Sequence, residues 1–234
     1  MTSTIHRFFV SPGEMSGDSL RIPPSVSHQV KRVLRLRDGE ELVLLDGAGG
    51  QAVCRIEGER LAVLRREPAT GEPRHRLTIC QALLKGDGLD RVVQQGTELG
   101  VAAFRLIVTE RCVPRDISER RLERLRTIAR ESAEQSERGM VPEVEGLVSL
   151  ASVLEPGAVL LFERLDASGV RLSAFEKPPS ALIIGPEGGF TPDELAAARS
   201  ANVLLGGLGP RILRAESVAL AAAAVVLSQS GDFA

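Results

Sequence analysis

The chain has 234 residues, enough for one large domain or two modest ones, each with a buried core. Its 29 basic and 31 acidic residues leave a net charge of −2, which excludes global attraction to polyanions, so any nucleic-acid surface has to be a local patch. With no Trp or Tyr, a platform of stacked aromatics would have only Phe to draw on.

The opening MTSTIHRFFV has no long apolar segment behind a basic one, and the longest apolar run, VALAAAAVVL at 218–227, is too short and alanine-rich to span a bilayer. A soluble, cytoplasmic protein is expected. Residues 30–66 read as short strands broken by glycine turns: ELVLLD, GAGG, QAVCRIEG and RLAVLRRE. That rhythm suits a small, mostly antiparallel barrel or sheet. PATGEPRH at 68–75 carries two prolines and a glycine without periodicity and reads as a linker.

From Leu77 the pattern becomes strand-then-helix. RLTICQALL is a strand, and DGLDRVVQQGTELG a helix with Leu89, Val92, Val93, Gly96 and Leu99 inward and Gly100 as its cap. FRLIVTE (104–110) is the next strand. The long helix SERRLERLRTIARESAEQSER then stripes Leu122, Leu125, Ile128, Ala129 and Ala133 along one face. AVLLFE (158–163), ALII (181–184) and NVLL (202–205) are short apolar runs of the kind buried in parallel sheets. A helix follows ALII, capped by Thr191 with Pro192 at its first position and Glu194 completing a capping box. This alternation predicts an α/β domain with a mainly parallel sheet. Cys54, Cys80 and Cys112 are odd in number, widely spaced and set in apolar runs, and His6, His28 and His75 form no paired motif; buried reduced thiols and no metal are expected.

Two glycine-rich turns follow the last apolar runs. ALII runs into GPEGGF, and NVLL into GGLGPRILRAES. Neither G-x-x-x-x-G-K-[ST] nor G-x-G-x-x-G is present, and Glu187 would set a carboxylate against any phosphate in the first loop. Ligands of parallel sheets bind outside the carboxyl ends of the strands. There AVLLFE would deliver Glu163, and the other runs the Gly185–Phe190 and Gly206–Arg214 loops, with Leu208, Ile212 and Leu213 as apolar walls. A flat, adenine-bearing ligand without phosphates fits that crevice: S-adenosylmethionine. The rival readings are an enzyme of nucleotide phosphates on the same sheet and a non-catalytic RNA binder working through the N-terminal barrel. Glu187 and the missing lysine oppose the first, and the paired glycine loops oppose the second.

IGPEGGFTPDEL with LGPRILRAES resembles the C-terminal signature of SPOUT-class RNA methyltransferases, and is most similar to the ribosomal RNA small-subunit methyltransferase E type. HRFFV, HQVKRVLRLRDGEELVLLDGAG, KGDGLDRVVQQGTELGV and ARESAEQSERGMVPEV extend the resemblance along nearly the whole chain. It implies a PUA-like, RNA-binding β-barrel domain over 1–70 and a methyltransferase domain with a trefoil knot over 76–234. It also implies a homodimer, 16S rRNA or the small subunit as partner, and methylation of uridine N3. On these motifs the cofactor would lie against Phe162, Glu163, Ile184, Gly185, Pro186, Gly188, Gly189, Leu205, Leu208, Gly209, Ile212 and Leu213. Gln95 stands where the family usually has a lysine, and the tryptophan common in the central helix is absent.

Removing the uracil N3 proton requires help, so a cation near the uracil oxygens and a carboxylate acceptor are sought. Arg214 and Arg211 are the cations, and Glu187, Glu98 and Glu216 the carboxylates, with Glu187 the first choice. For RNA, HQVKRVLRLR gathers Lys31, Arg32, Arg35 and Arg37, joined by Arg7 and Arg111. The stretch 111–130 adds Arg115, Arg120, Arg121, Arg124, Arg126 and Arg130.

Overall fold

A computed structural model describes residues 5–163, 170–175 and 177–233. The chain divides into two compact units, residues 1–72 with 133–141, and residues 73–132 with 142–234.

The first unit is a five-stranded sheet. Its strands are β1 (His6–Phe9), β2 (Ser19–Arg21), β3 (Glu41–Leu45), β4 (Gly50–Glu57) and β5 (Arg60–Pro68), in the order β1-β3-β4-β5-β2. β1 runs parallel to β3 and all other pairs are antiparallel. Helix α1 (Pro24–His28) continues through a wider turn to Val33. The ELVLL run is apolar at consecutive positions because both faces of β3 are covered. Leu42 and Leu44 join Phe8, Val26, Val30, Ile56 and Leu61, whereas Val43 and Leu45 join Phe9, Val53 and Ala133. Residues 133–141 are also tied in by charge. The buried Arg138 donates two hydrogen bonds to Glu72, at 2.8 and 3.2 Å, and the Met140 amide donates to the same carboxylate at 3.0 Å. Glu72, in the expected linker, is thereby fixed.

The second unit holds a seven-stranded sheet of β6 (Thr78–Ala82), β7 (Ala103–Val108), β8 (Glu143–Ser149), β9 (Ala158–Leu161), β10 (Val170–Arg171), β11 (Ala181–Ile184) and β12 (Leu204–Gly207). The order is β10-β12-β9-β11-β6-β7-β8, parallel throughout. Its helices are α2 (Gly88–Leu99), α3 (Glu119–Gln135) as far as Ser132, α4 (Pro192–Ser200) and α5 (Ala215–Gln229). Gly100, at φ 103°, ends α2 in the left-handed cap that glycine accommodates. The capping box of α4 forms as read: Thr191 Oγ1 accepts the Glu194 amide at 3.3 Å, and Glu194 accepts the Thr191 amide at 2.8 Å. α5 lies against α2, β11 and β6, so the chain crosses back from β12 towards the sheet centre. Of the segment between β9 and β11, residues 164–169 and 176 lie outside the described residues.

The sequence reading has no strand at β10, and β8 and β12 depart from it as well. β8, at the sheet edge, has a half-buried sequence, EVEGLVS, with no apolar run to mark it. β12 starts at Leu204 rather than Asn202, which adopts a left-handed turn at φ 59°, and it takes in Gly206 and Gly207. Gly206 is strand because of its neighbour: a Cβ there would lie 2.5 Å from Val159 Cγ1. All three cysteines are free and buried. Burial pushes the Cys80 thiol up to about 12, the Arg105 guanidinium opposing it only in part, and the Cys54 thiol up to about 11.

Candidate functional site

A cleft of about 660 Å³ opens at the carboxyl ends of β9, β11 and β12. Three chain segments from the sheet edge build it. Phe162 and Glu163 follow β9, and Gly185–Phe190 follows β11. The third, Leu208–Arg214, follows β12 and leads into α5. Ile184 and Leu161 form the floor, and Leu208, Ile212 and Leu213 line it with apolar side chains. Of the residues the resemblance implies for the cofactor, only Leu205 is absent from the lining. It is buried inside β12, opposite Leu160 of β9, where its register turns it away from the cleft.

The first glycine loop is held at three of its carbonyls, those of Gly185, Pro186 and Gly188. Gly189 takes φ 66° and its amide donates to the Pro186 carbonyl at 2.9 Å, closing the turn. The positive φ falls there and not at Gly188. A Cβ on Gly188 would instead meet Arg111 Cβ at 3.1 Å, and the Arg111 guanidinium donates to the Gly188 carbonyl, also at 3.1 Å. Gln81, fully buried in β6 beside Ile184, reaches the Gly185 carbonyl with its amide nitrogen at 3.4 Å. Glu163 faces Gly189 across the turn. In the second loop Gly209 has φ 113° and open space around its Cα, a backbone conformation reserved for glycine.

Arg211, Arg214 and Glu216 line the cleft, with both arginines exposed. Glu187 lines it too, yet its carboxylate accepts the Lys85 backbone amide at 3.0 Å. Glu98 does not. It stands near the carboxyl end of α2, eleven residues beyond Asp87, or about 16 Å at 1.5 Å per residue, while only the amino end of that helix reaches the cleft. Sequence reasoning missed Lys85, Asp87, Gly88 and Arg91, which complete the wall on the β6 side. Their signal was present: KGDGLD follows a parallel strand at its carboxyl end, as both glycine loops do.

The predicted RNA contacts fare unevenly. Lys31, Arg32, Arg35 and Arg37 are all exposed beside the apolar Val33 and Leu34, which are exposed as well. Lys31 pairs with Glu59. Arg7 is largely covered and bound inside its unit, donating to Gln51 Oε1 at 3.1 Å and pairing with Glu137 at 3.1 Å. The arginines of 111–130 mostly serve the fold. Arg121 and Arg124 converge on Asp90 at 2.7 and 3.0 Å, Arg115 donates to the carbonyls of Thr109 and Glu110, and Arg126 pairs with Glu119 and Glu123. Arg120 is exposed and has no such partner among the described residues.

The arrangement fits an adenosyl ligand. Two glycine turns and apolar side chains line one cleft, and carboxylates at Glu163 and Glu216 suit hydroxyls or a cation better than phosphate. No helix among the described residues is long and apolar enough to cross a membrane.

Comparison with known proteins agrees with this geometry. A family model described as RNA methyltransferase domain matches residues 71–227, and one described as RNA methyltransferase PUA domain matches 27–64. The ribosomal RNA small subunit methyltransferase E of Mycobacterium tuberculosis is 36% identical over 219 residues, covering 84% of this chain and 82% of that protein. The Bacillus subtilis protein of the same name is 30% identical, with 97% of each chain covered. The crystal structure of the Neisseria gonorrhoeae protein of that name, bound to S-adenosyl methionine, superposes with a TM-score of 0.85 at 28% identity, covering 96% of this chain and 98% of that one. With one domain match spanning most of the chain and relatives this similar over nearly all of it, the chain belongs to the ribosomal RNA small subunit methyltransferase E family of RNA methyltransferases.

Proposed function

We propose that this protein transfers a methyl group from S-adenosylmethionine to N3 of a uridine in the 16S rRNA of the small ribosomal subunit. The observation that carries the reading is the cleft: two glycine turns at the carboxyl ends of β11 and β12, the strands that flank β9, without a phosphate-binding lysine motif, in a chain whose solved relative holds that cofactor. The site specificity, uridine N3, rests on the family resemblance. When bound, the cofactor supplies an electrophilic methyl group on a sulfonium.

The chain's own residues supply the rest. The loops around Gly185–Gly189 and Leu208–Leu213 hold the ligand between backbones, and Phe162 and Glu163 close one side. Alignment of donor and acceptor is the largest contribution available, about 7–11 kcal/mol. The N3 proton lies about two pKa units above neutrality, a deficit of about 3 kcal/mol. Arg211 and Arg214 stabilise the negative charge that develops on the uracil oxygens as that proton leaves. Glu216, inside the same cleft, is a carboxylate within the site for accepting it.

The N-terminal unit acts as the PUA-like RNA-positioning module, through Arg32, Arg35 and Arg37, and the second unit as the methyltransferase with a knotted cofactor site. The active form is a homodimer. From Val218 to Leu227 α5 is apolar all round, yet Val218, Leu220, Ala221, Ala224 and Val225 are only partly covered, and Ile212 ahead of the helix is 71% exposed, a surface that a second copy would bury. The protein works in the cytoplasm, where its ribosomal substrate is. Nucleoside mass spectrometry of rRNA from cells lacking the protein tests the proposal: one methylated uridine should disappear, and an unchanged nucleoside profile refutes it.

A further inference from the structure

A glutamate in a glycine-rich ligand loop invites a role as proton acceptor. The geometry points to another. We propose that Glu187 is a positioning residue that locks the turn after β6, and that the group presented to the RNA there is the Lys85 ammonium, which meets a phosphate of the target nucleotide.

The Glu187 carboxylate accepts the Lys85 amide at 3.0 Å, joining segments 102 residues apart. The other side of the turn is held from α3. The Gly86 carbonyl accepts Arg121 Nη2 at 3.1 Å, and the same guanidinium pairs with Asp90 at 2.7 Å. Gly86 itself takes φ 61°, the conformation that lets the chain reverse between these two anchors. Asp87 is occupied by Arg91 at 3.0 Å. The turn is therefore held from outside at the Lys85 amide, the Gly86 carbonyl and the Asp90 carboxylate, while the Lys85 side chain is exposed, lines the cleft and has no hydrogen-bond or ion-pair partner among the described residues. An immobilised Cα carrying an unpaired ammonium at the mouth of a ligand cleft is suited to an anion. Lysine presents a point charge, which matches a phosphate oxygen, and the forked arginines Arg211 and Arg214 line the same cleft.

This rests on the methyl-transfer reading, and the test separates the two. Glu187→Ala, Glu187→Gln and Lys85→Ala are compared for methyl transfer to 16S rRNA and, independently of activity, for amide hydrogen exchange across residues 83–89. Glu187→Ala should speed exchange of the Lys85 amide and raise the RNA KM about tenfold, the effect of removing one charge-assisted hydrogen bond. Glu187→Gln keeps an oxygen acceptor and should recover slow exchange and at least a third of the wild-type kcat/KM. Lys85→Ala should raise the RNA KM similarly and lower its salt slope by about 0.7–0.9. The double variant Lys85→Ala/Glu187→Ala should be no worse than Lys85→Ala alone, because the two residues act as one unit. A Glu187→Gln protein with slow exchange whose kcat falls by about 10²-fold or more would make Glu187 the proton acceptor and overturn the inference. So would a Glu187→Ala protein with unaltered exchange. Absence of methyl transfer by the wild type would sink the functional reading alone, since the exchange measurements would still report the anchor.

Discussion

Replacing Gly206 with alanine should force β12 away from β9 and disturb the second glycine loop with it. The new Cβ would stand 2.5 Å from Val159 Cγ1 and 3.3 Å from Leu161 Cδ2. Ordinary carbon contacts begin at about 3.5 Å, so about 1 Å must be found between two hydrogen-bonded strands. Val159 has little room to swing aside, since its branched Cβ restricts χ1 and it is buried. Overpacking of this kind costs about 1–3 kcal/mol, which lowers the melting temperature of a chain this size by about 2–4 °C per kcal/mol. Because residues 208–214 hang from the displaced strand, S-adenosylmethionine affinity should fall about tenfold or more. The companion substitution Val159→Ala removes the obstructing methyls at a cost of about 1.6 kcal/mol, at 0.8 kcal/mol per buried group. Combined, the two should cost about 1–2 kcal/mol less than their sum, because the alanine at 206 fills the space left at 159. Calorimetry of the four proteins, with cofactor titration on each, gives the cycle. Additivity within about 0.5 kcal/mol, or an alanine at 206 that leaves stability and affinity untouched, would refute the argument.

Arg214→Ala should leave cofactor and RNA affinity nearly intact while methyl transfer at saturating substrates falls; an undiminished kcat in single-turnover assays would remove Arg214 from the chemistry. Replacing Arg32 and Arg35 with alanine should weaken RNA binding and reduce its salt slope by about 0.7–0.9 for each phosphate no longer neutralised. Adding Lys31→Ala should contribute less, as Lys31 is already paired with Glu59. A triple variant with an unchanged slope would show these cations to be a solvated face. Cys80, with its thiol pushed up to about 12, should resist alkylation of the native protein. At pH 8 only about one thiol in ten thousand is ionised, and reactivity follows the thiolate. Rapid native-state labelling at Cys80 would contradict its burial.

Much of the second unit is legible in the sequence because its central strands are covered on both faces. AVLL and ALII announce themselves as apolar runs, and Thr191, Pro192 and Glu194 spell out a helix start that forms as written. The glycine turns are legible by the same route, since they follow those runs. What stays hidden depends on distant partners or partial exposure. EVEGLVS at the sheet edge carries no apolar run, and the glycines of β12 read as loop until Val159 is seen beside them. The role of Glu187 depends on an amide 102 residues earlier. Arg7 and the arginines of α3 count as basic patches in a string of letters, but Gln51, Glu137, Asp90, Glu119 and Glu123 absorb most of them. Charge tallies along a chain overstate the surface available to RNA.

The loops at the carboxyl edge of the sheet are fastened to one another. Gln81 reaches Gly185, Glu187 holds Lys85, Arg111 holds Gly188, and Glu194 accepts the Glu110 amide at 2.8 Å while it caps its own helix. Such cross-bracing removes independent fluctuation: loosening one loop strains the fastenings of the next. The rim of the cleft should then open as a single cooperative unit, its amides exchanging with a shared opening free energy rather than a gradient from tip to base. Ligand entry becomes a two-state event for the whole rim. Substitutions far from the ligand, at Glu194 or Arg121, would change how often that event occurs without touching what is bound.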